Sequence, residues 1–188
     1  MQHFYENISG WFTSLDKQSY DNAVEKFSDG DVFVEIGSWK GRSACAMATN
    51  IINSGKQIKF YCVDTWRGSA EHQLGQQYED IDAIKGRLFE VFLLNTKPVK
   101  DMINIIKKES VVAAKTFEDR SLSFVFIDAS HDYENVKKDL NAWYPKVKKS
   151  GILAGHDFAH APVRCAVTDF VALHGLTVTG DGCWEIQL

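Results

Sequence analysis

Val32-Phe33-Val34-Glu35-Ile36-Gly37-Ser38-Trp39-Lys40-Gly41 is the stretch whose reading decides the fold. Its first five residues are apolar apart from Glu35, the pattern of a strand buried on both faces. Gly37 ends the run and Gly41 closes a tight turn. Arg42 to Ile52, rich in Ala and Met, then reads as a helix. The unit is therefore strand, glycine turn, helix.

The same unit recurs along the chain. Ile58 to Val63 is a second strand ending at Asp64, and Ile103 to Ile106 a short third. Leu122 to Ile127 is a fourth ending at Asp128, and Ile152 to Ala154 a fifth ending at His156-Asp157. Helices are predicted between them over Ile81 to Leu94, Val111 to Phe117 and Val163 to Leu173. Another is marked by Tyr133, Val136, Leu140, Trp143, Tyr144 and Val147 at helical spacing, with Asp132 as N-cap and Pro145 near its end. The polar run Arg67 to Gln77 is long for a connection in an α/β unit and reads as a lid or substrate loop. Leu176 to Leu188 reads as a closing hairpin around Gly180-Asp181-Gly182, and the residues before Asp31 as one or two helices outside the first strand. Repeated β-α units imply an α/β fold, a parallel sheet with helices on both faces. Ligands of such sheets lie outside the carboxyl ends of the strands, where the strand order reverses.

Composition removes several alternatives. Residues 1–188 are expected to form one domain, since no Pro-, Gly- or Ser-rich linker and no repeat divides them. A net charge of -4 argues against a general nucleic-acid or acidic-membrane binder. No apolar run reaches the roughly 18 residues of a membrane span. Met1 to Glu6 lacks the basic-then-apolar pattern of a signal peptide. Cys45, Cys62, Cys165 and Cys183 form no C-x-x-C and read as reduced thiols of a cytoplasmic protein.

The polar residues that interrupt the apolar pattern fall at strand ends. Glu35 would cost several kcal/mol unpaired inside a buried strand, so it needs a partner, either a cationic ligand group or an internal cation such as Arg42. Gly37 and Gly41 either admit a ligand or merely satisfy a sterically demanding turn. Asp64 could accept from both hydroxyls of a ribose, or cap a turn. Thr65 and Trp66 could flank an adenine ring. Glu109-Ser110 would continue the same pocket, or simply start a helix. Asp128 and His131, with His156 and Asp157, would bring two carboxylates and two imidazoles to one edge. Oxygen donors suit Mg²⁺, Ca²⁺ or Mn²⁺, and imidazole tilts the preference toward transition metals. The plainer reading of that set is loop-start and capping residues.

Val34 to Ser43 resembles the first motif of class I S-adenosylmethionine-dependent methyltransferases, and Val63 to Gly68 resembles the second. Phe126 to Tyr133, with Gly151 to Phe158, is similar to a compact branch related to the macrocin and catechol O-methyltransferases. The resemblance implies a Rossmann-like, mostly parallel seven-stranded sheet in the order 3-2-1-4-5-7-6, the seventh strand antiparallel. It implies S-adenosylmethionine as cofactor. Glu35, Gly37, Ser38, Gly41 and Ser43 would hold the methionine portion, Asp64 the ribose, and Thr65, Trp66 and Ser110 the adenine. Asp128 would line the cofactor site and, with Asp157, bind a divalent cation such as Mg²⁺ or Mn²⁺. His131 would be the general base. His156 stands where those relatives carry a carboxylate, and joins the expected metal set. The acceptor would be a small-molecule hydroxyl, sugar- or catechol-like, with neither nucleic acid nor membrane as partner and homo-oligomerisation left open. A non-catalytic cofactor-binding module and a nicotinamide-dependent oxidoreductase are the competing readings. The missing G-x-G-x-x-G and the acid within the first strand count against the second.

Overall fold

The structure is a computed structural model that describes residues 1–188. The strands are β1 (Val32–Ile36), β2 (Lys59–Asp64), β3 (Ile103–Lys107), β4 (Leu122–Ile127), β5 (Val147–Gly155), β6 (Val178–Gly180) and β7 (Trp184–Gln187). They form one sheet in the order β3-β2-β1-β4-β5-β7-β6. β1 to β5 pair in parallel, and β7 runs antiparallel to both β5 and β6. This is the expected architecture. The order reverses between β1 and β4, so the carboxyl ends of those two strands flank the switch point.

The helices are α1 (Ser14–Lys26), α2 (Arg42–Ser54), α3 (Ile81–Ile84), α4 (Leu88–Thr96), α5 (Ser110–Ala114), α6 (Tyr133–Trp143) and α7 (Ala161–His174). None is long and apolar enough to cross a membrane. Alternation along β1 sends Phe33 to one face of the sheet and Val34 and Ile36 to the other. On the first face they meet Tyr20 of α1, Met47 and Ile51 of α2 and Phe92 of α4. On the second they meet Ala113 of α5, Leu140 and Trp143 of α6 and Val167 and Phe170 of α7. β4 is buried at every residue, as its unbroken apolar run requires.

Two expectations are corrected. The predicted helix over 81–94 is two helices, because Gly86 takes a left-handed φ of +65° between them. Val147 is the first residue of β5 rather than part of a helix: α6 stops at Trp143, and Tyr144-Pro145-Lys146 makes a tight turn into the strand. Asp132 is the N-cap of α6, its Oδ1 accepting from the Asn135 N–H at 3.0 Å. All four cysteines are free thiols.

Candidate functional site

The glycine turn sits at the switch point, and packing alone explains its glycines. A Cβ on Gly37 (φ +90°) would lie 1.8 Å from the Asp128 carbonyl oxygen of β4. A Cβ on Gly41 (φ +87°) would meet Thr96 Cγ2 at 2.9 Å and Phe92 Cδ2 at 3.0 Å. The turn is clamped from outside by Lys40, whose ammonium contacts Asp80 at 2.5 Å and Asp82 at 2.9 Å.

Asp64, at the end of β2, faces this turn. Its Oδ2 accepts from the Trp39 N–H at 2.8 Å and its Oδ1 from the Trp66 N–H at 2.7 Å. Burial raises its carboxyl above the ordinary range, against the pull of these backbone donors. Thr65 accepts the Arg67 N–H. Trp66 is buried against Phe89 and Phe92, and its indole N–H donates to the Trp39 carbonyl at 2.9 Å. The Ser110 hydroxyl donates to Asp139 and accepts from the Trp143 indole.

Glu35 is 1% exposed. Its partner is Tyr20 of α1, which donates to Oε2 at 2.7 Å; Arg42 instead donates to the Gly10 carbonyl. Burial, partly offset by Tyr20, pushes the Glu35 carboxyl up to about 7. Oε1 of Glu35 and the hydroxyl of Ser38 are buried with no partner in the protein. A buried carboxylate oxygen left unpaired beside a polar turn suits a ligand that brings a positive donor, as the ammonium of S-adenosylmethionine would.

The second group lies at the ends of β4 and β5. His131 Nε2 is 3.0 Å from Asp157 Oδ2 and 3.8 Å from Asp128 Oδ1. His156 Nδ1 is 3.1 Å from the same Asp157 oxygen and 3.7 Å from Asp128 Oδ1. Asp128 and Asp157 push His131 up to about 10. Burial opposes a charge on His156, but Asp157 and Asp16 outweigh it and push the ring up to about 11. Burial also opposes ionisation of Asp157, yet the two imidazoles hold it well below the usual carboxylate range. Asp157 carries a left-handed φ of +59°, the kind of backbone strain that clusters at functional sites.

One ligand atom each from Asp128, His131 and Asp157 lies within 4.8 Å of the others, two carboxylate oxygens and one imidazole nitrogen. The two carboxylate oxygens suit a divalent cation, and the imidazole stands beside them. His156 stands beside the same two carboxylates, and its Nε2 faces Asp16 Oδ2 at 3.3 Å.

Sequence reasoning missed the residues that α1 and the loops bring in. Asp16 and Tyr20 of α1 reach His156 and Glu35. Glu71 in the polar loop pairs with His131 Nδ1 at 3.0 Å. His72 is buried in a stack with Trp39 and Trp11. Thr13-x-x-Asp16 could be read as a helix cap, but no local pattern shows that the capping acid is buried against the sheet.

A family described as a methyltransferase domain matches residues 34–158. An uncharacterized protein, y4gI, of Sinorhizobium fredii is 27% identical over 124 residues, 66% of this chain and 13% of that one. The chain thus spans about one-eighth of the length of the curated relative it matches. Among solved structures, the O-methyltransferase NovP is 17% identical with a TM-score of 0.70, over 91% of this chain and 78% of that one. Cofactor-bound Rv0187 from MTB is 14% identical with a TM-score of 0.69, over 98% and 85%. Apo CalS11, a TDP-rhamnose 3'-O-methyltransferase, is 14% identical with a TM-score of 0.59, over 92% and 77%. At these identities the structural likeness speaks for the fold. The family match runs from β1 through the end of β5, more than half of the sequence, and on it the chain belongs to the methyltransferase-domain family.

Proposed function

We propose that residues 1–188 act as one metal-assisted O-methyltransferase unit, acting on a hydroxyl of a sugar- or catechol-like small molecule. The observation that carries this reading is the Asp128–His131–Asp157 group at the strand ends beside the glycine turn. The O-methyltransferase names of NovP and CalS11 support it. Glu35, Ser38 and Ser43, with the Gly37–Gly41 turn, are read as the methionine subsite. Asp64, Thr65 and Trp66 are read as the nucleoside subsite, continuing toward Ser110. Asp64 has further lone pairs beyond those that hold Trp39 and Trp66. The reading carries a cytoplasmic setting, Mg²⁺ or Mn²⁺, and no nucleic-acid or membrane partner.

The cofactor, when bound, supplies an electrophilic methyl group on a sulfonium, so the protein's task is alignment of the acceptor oxygen and removal of its proton. His131 takes that proton at Nε2. Asp128 and Asp157 would hold the cation, which when bound stabilises an acceptor oxyanion and draws their charge away from His131. Without such help, complete deprotonation of an aliphatic hydroxyl (pKa about 15.7) by an ordinary histidine (about 6.5) costs about 12 kcal/mol.

The test is a mass-spectrometric screen. The chain is incubated with deuteromethyl S-adenosylmethionine, Mg²⁺ or Mn²⁺, and a panel of catechols, sugars and sugar nucleotides. An O-linked label on a vicinal diol or catechol is the expected result. A label found on nitrogen, carbon or RNA would overturn the reading.

A further inference from the structure

We propose that Asp16 of α1 is a positioning residue for the cation site, acting through His156; this rests on the metal-assisted reading above. Asp16 lies outside residues 34–158 and is 1% exposed. Its Oδ2 accepts the backbone N–H and the hydroxyl of Thr13, each at 2.7 Å. That reciprocal cap stabilises the start of α1, but capping needs no burial, and burying a carboxylate costs several kcal/mol unless it is paired. The same Oδ2 also faces His156 Nε2 at 3.3 Å, while Oδ1 is buried with no partner in the protein, so His156 is the one cation set against this buried acid.

His156 is held along one line. Nε2 points to Asp16, Nδ1 points to Asp157 Oδ2 at 3.1 Å, and its own carbonyl accepts the Trp184 indole N–H at 3.1 Å. A ring fixed in this way presents Nδ1 to both carboxylates of the cation site, 3.1 Å from Asp157 Oδ2 and 3.7 Å from Asp128 Oδ1. Asp157, at its strained φ, is thereby met by His156 Nδ1 as well as by His131 Nε2. Hydrogen bonds to ligating carboxylates orient them, and losing such a partner costs about 10- to 100-fold in metal affinity. His156 is therefore a bridge from the N-terminal helix to Asp157.

The experiment measures Mn²⁺ alone, by counting free ion in electron paramagnetic resonance, with S-adenosylhomocysteine affinity by calorimetry in parallel. Asp16→Asn should weaken Mn²⁺ binding about 10- to 100-fold and leave S-adenosylhomocysteine affinity as in the native chain. Asp16→Ser, which keeps a small capping group, takes its place if the Asn variant does not fold. Val24→Ala, a cavity in the buried face of α1, should lower the thermal midpoint without changing Mn²⁺ affinity. In a His156→Ala background, adding Asp16→Asn should have no further effect on Mn²⁺. The inference is overturned, with the metal-assisted reading intact, if Asp16→Asn binds Mn²⁺ like the native chain or loses as much without His156 as with it. A native chain that binds no Mn²⁺ overturns both.

Discussion

Tyr20 donates its hydroxyl to Oε2 of Glu35 across 2.7 Å, joining α1 to the middle of β1 inside the core. It satisfies one carboxylate oxygen and leaves the other, Oε1, without a partner.

Glu35 is therefore a cost to stability once its carboxyl ionises. Its carboxyl titrates near 7 when folded, against an ordinary 4.5. An acid whose folded pKa is raised makes the native state hold its proton more tightly than the unfolded chain does. The part of the stability that Glu35 contributes is then greatest below about pH 4.5 and falls by roughly 3 kcal/mol as pH rises to about 7. Glu35→Gln should flatten this dependence and unfold later than the native chain at pH 8 in urea. The same variant should bind S-adenosylmethionine more weakly by calorimetry. A native chain whose stability is constant from pH 4.5 to 8 would contradict the argument.

Gly37→Ala tests whether the turn is built for packing. The new methyl would overlap the Asp128 carbonyl at 1.8 Å, in a backbone conformation that also disfavours any Cβ. A loss of about 4 kcal/mol or more is expected, read as insolubility or a large fall in thermal midpoint. A soluble variant of native stability that only fails to bind cofactor would show that the glycine serves the ligand instead.

Asp64→Ala removes the acceptor of two backbone N–H groups and, on the reading above, of ribose hydroxyls. Binding of S-adenosylmethionine should weaken by about 1.5–3 kcal/mol, the usual worth of hydrogen bonds to a charged group. Stability should fall as well, because Trp39 and Trp66 lose their N–H acceptor. Cofactor affinity equal to that of the native chain would remove Asp64 from the nucleoside subsite.

Chelation and His131 are tested together, once an acceptor is found. His131→Ala should cut turnover by about 10²–10⁴ and leave cofactor affinity nearly unchanged. The base must be neutral to accept a proton, and Asp128 and Asp157 hold the His131 ring charged up to about pH 10. The rate of chelated enzyme should therefore climb with pH toward that value. Mg²⁺ or Mn²⁺ should raise the rate and move the climb to lower pH, since the cation competes for the two carboxylates. Activity indifferent to exhaustive chelation would sink the metal model.

The sequence by itself determined the alternation of strand and helix, because β1, β2, β4 and β5 had to be apolar runs, each ending at a Gly, Asp or His that read as punctuation. Glu35, Asp64, Asp128 and Asp157 were legible for the same reason: a polar side chain within or at the end of an apolar strand has few explanations, and the switch point of a parallel sheet gathers such ends. The long-range partners of those acids were decided only by tertiary structure. Tyr20 and Asp16 lie on a helix whose sequence shows an ordinary cap, and Glu71 lies in a polar loop, so nothing local distinguishes them from solvated residues. Trp66 and Ser110 were legible as strand-end and helix-start residues, but their side chains turn to Phe92 and to Asp139, a choice set by the packing of helices on the sheet. Periodicity records which face of an element is apolar. It carries no information on which polar group from a distant element will fill the remaining hydrogen bond, and that assignment, for His156 and Glu35 alike, came only with the folded chain.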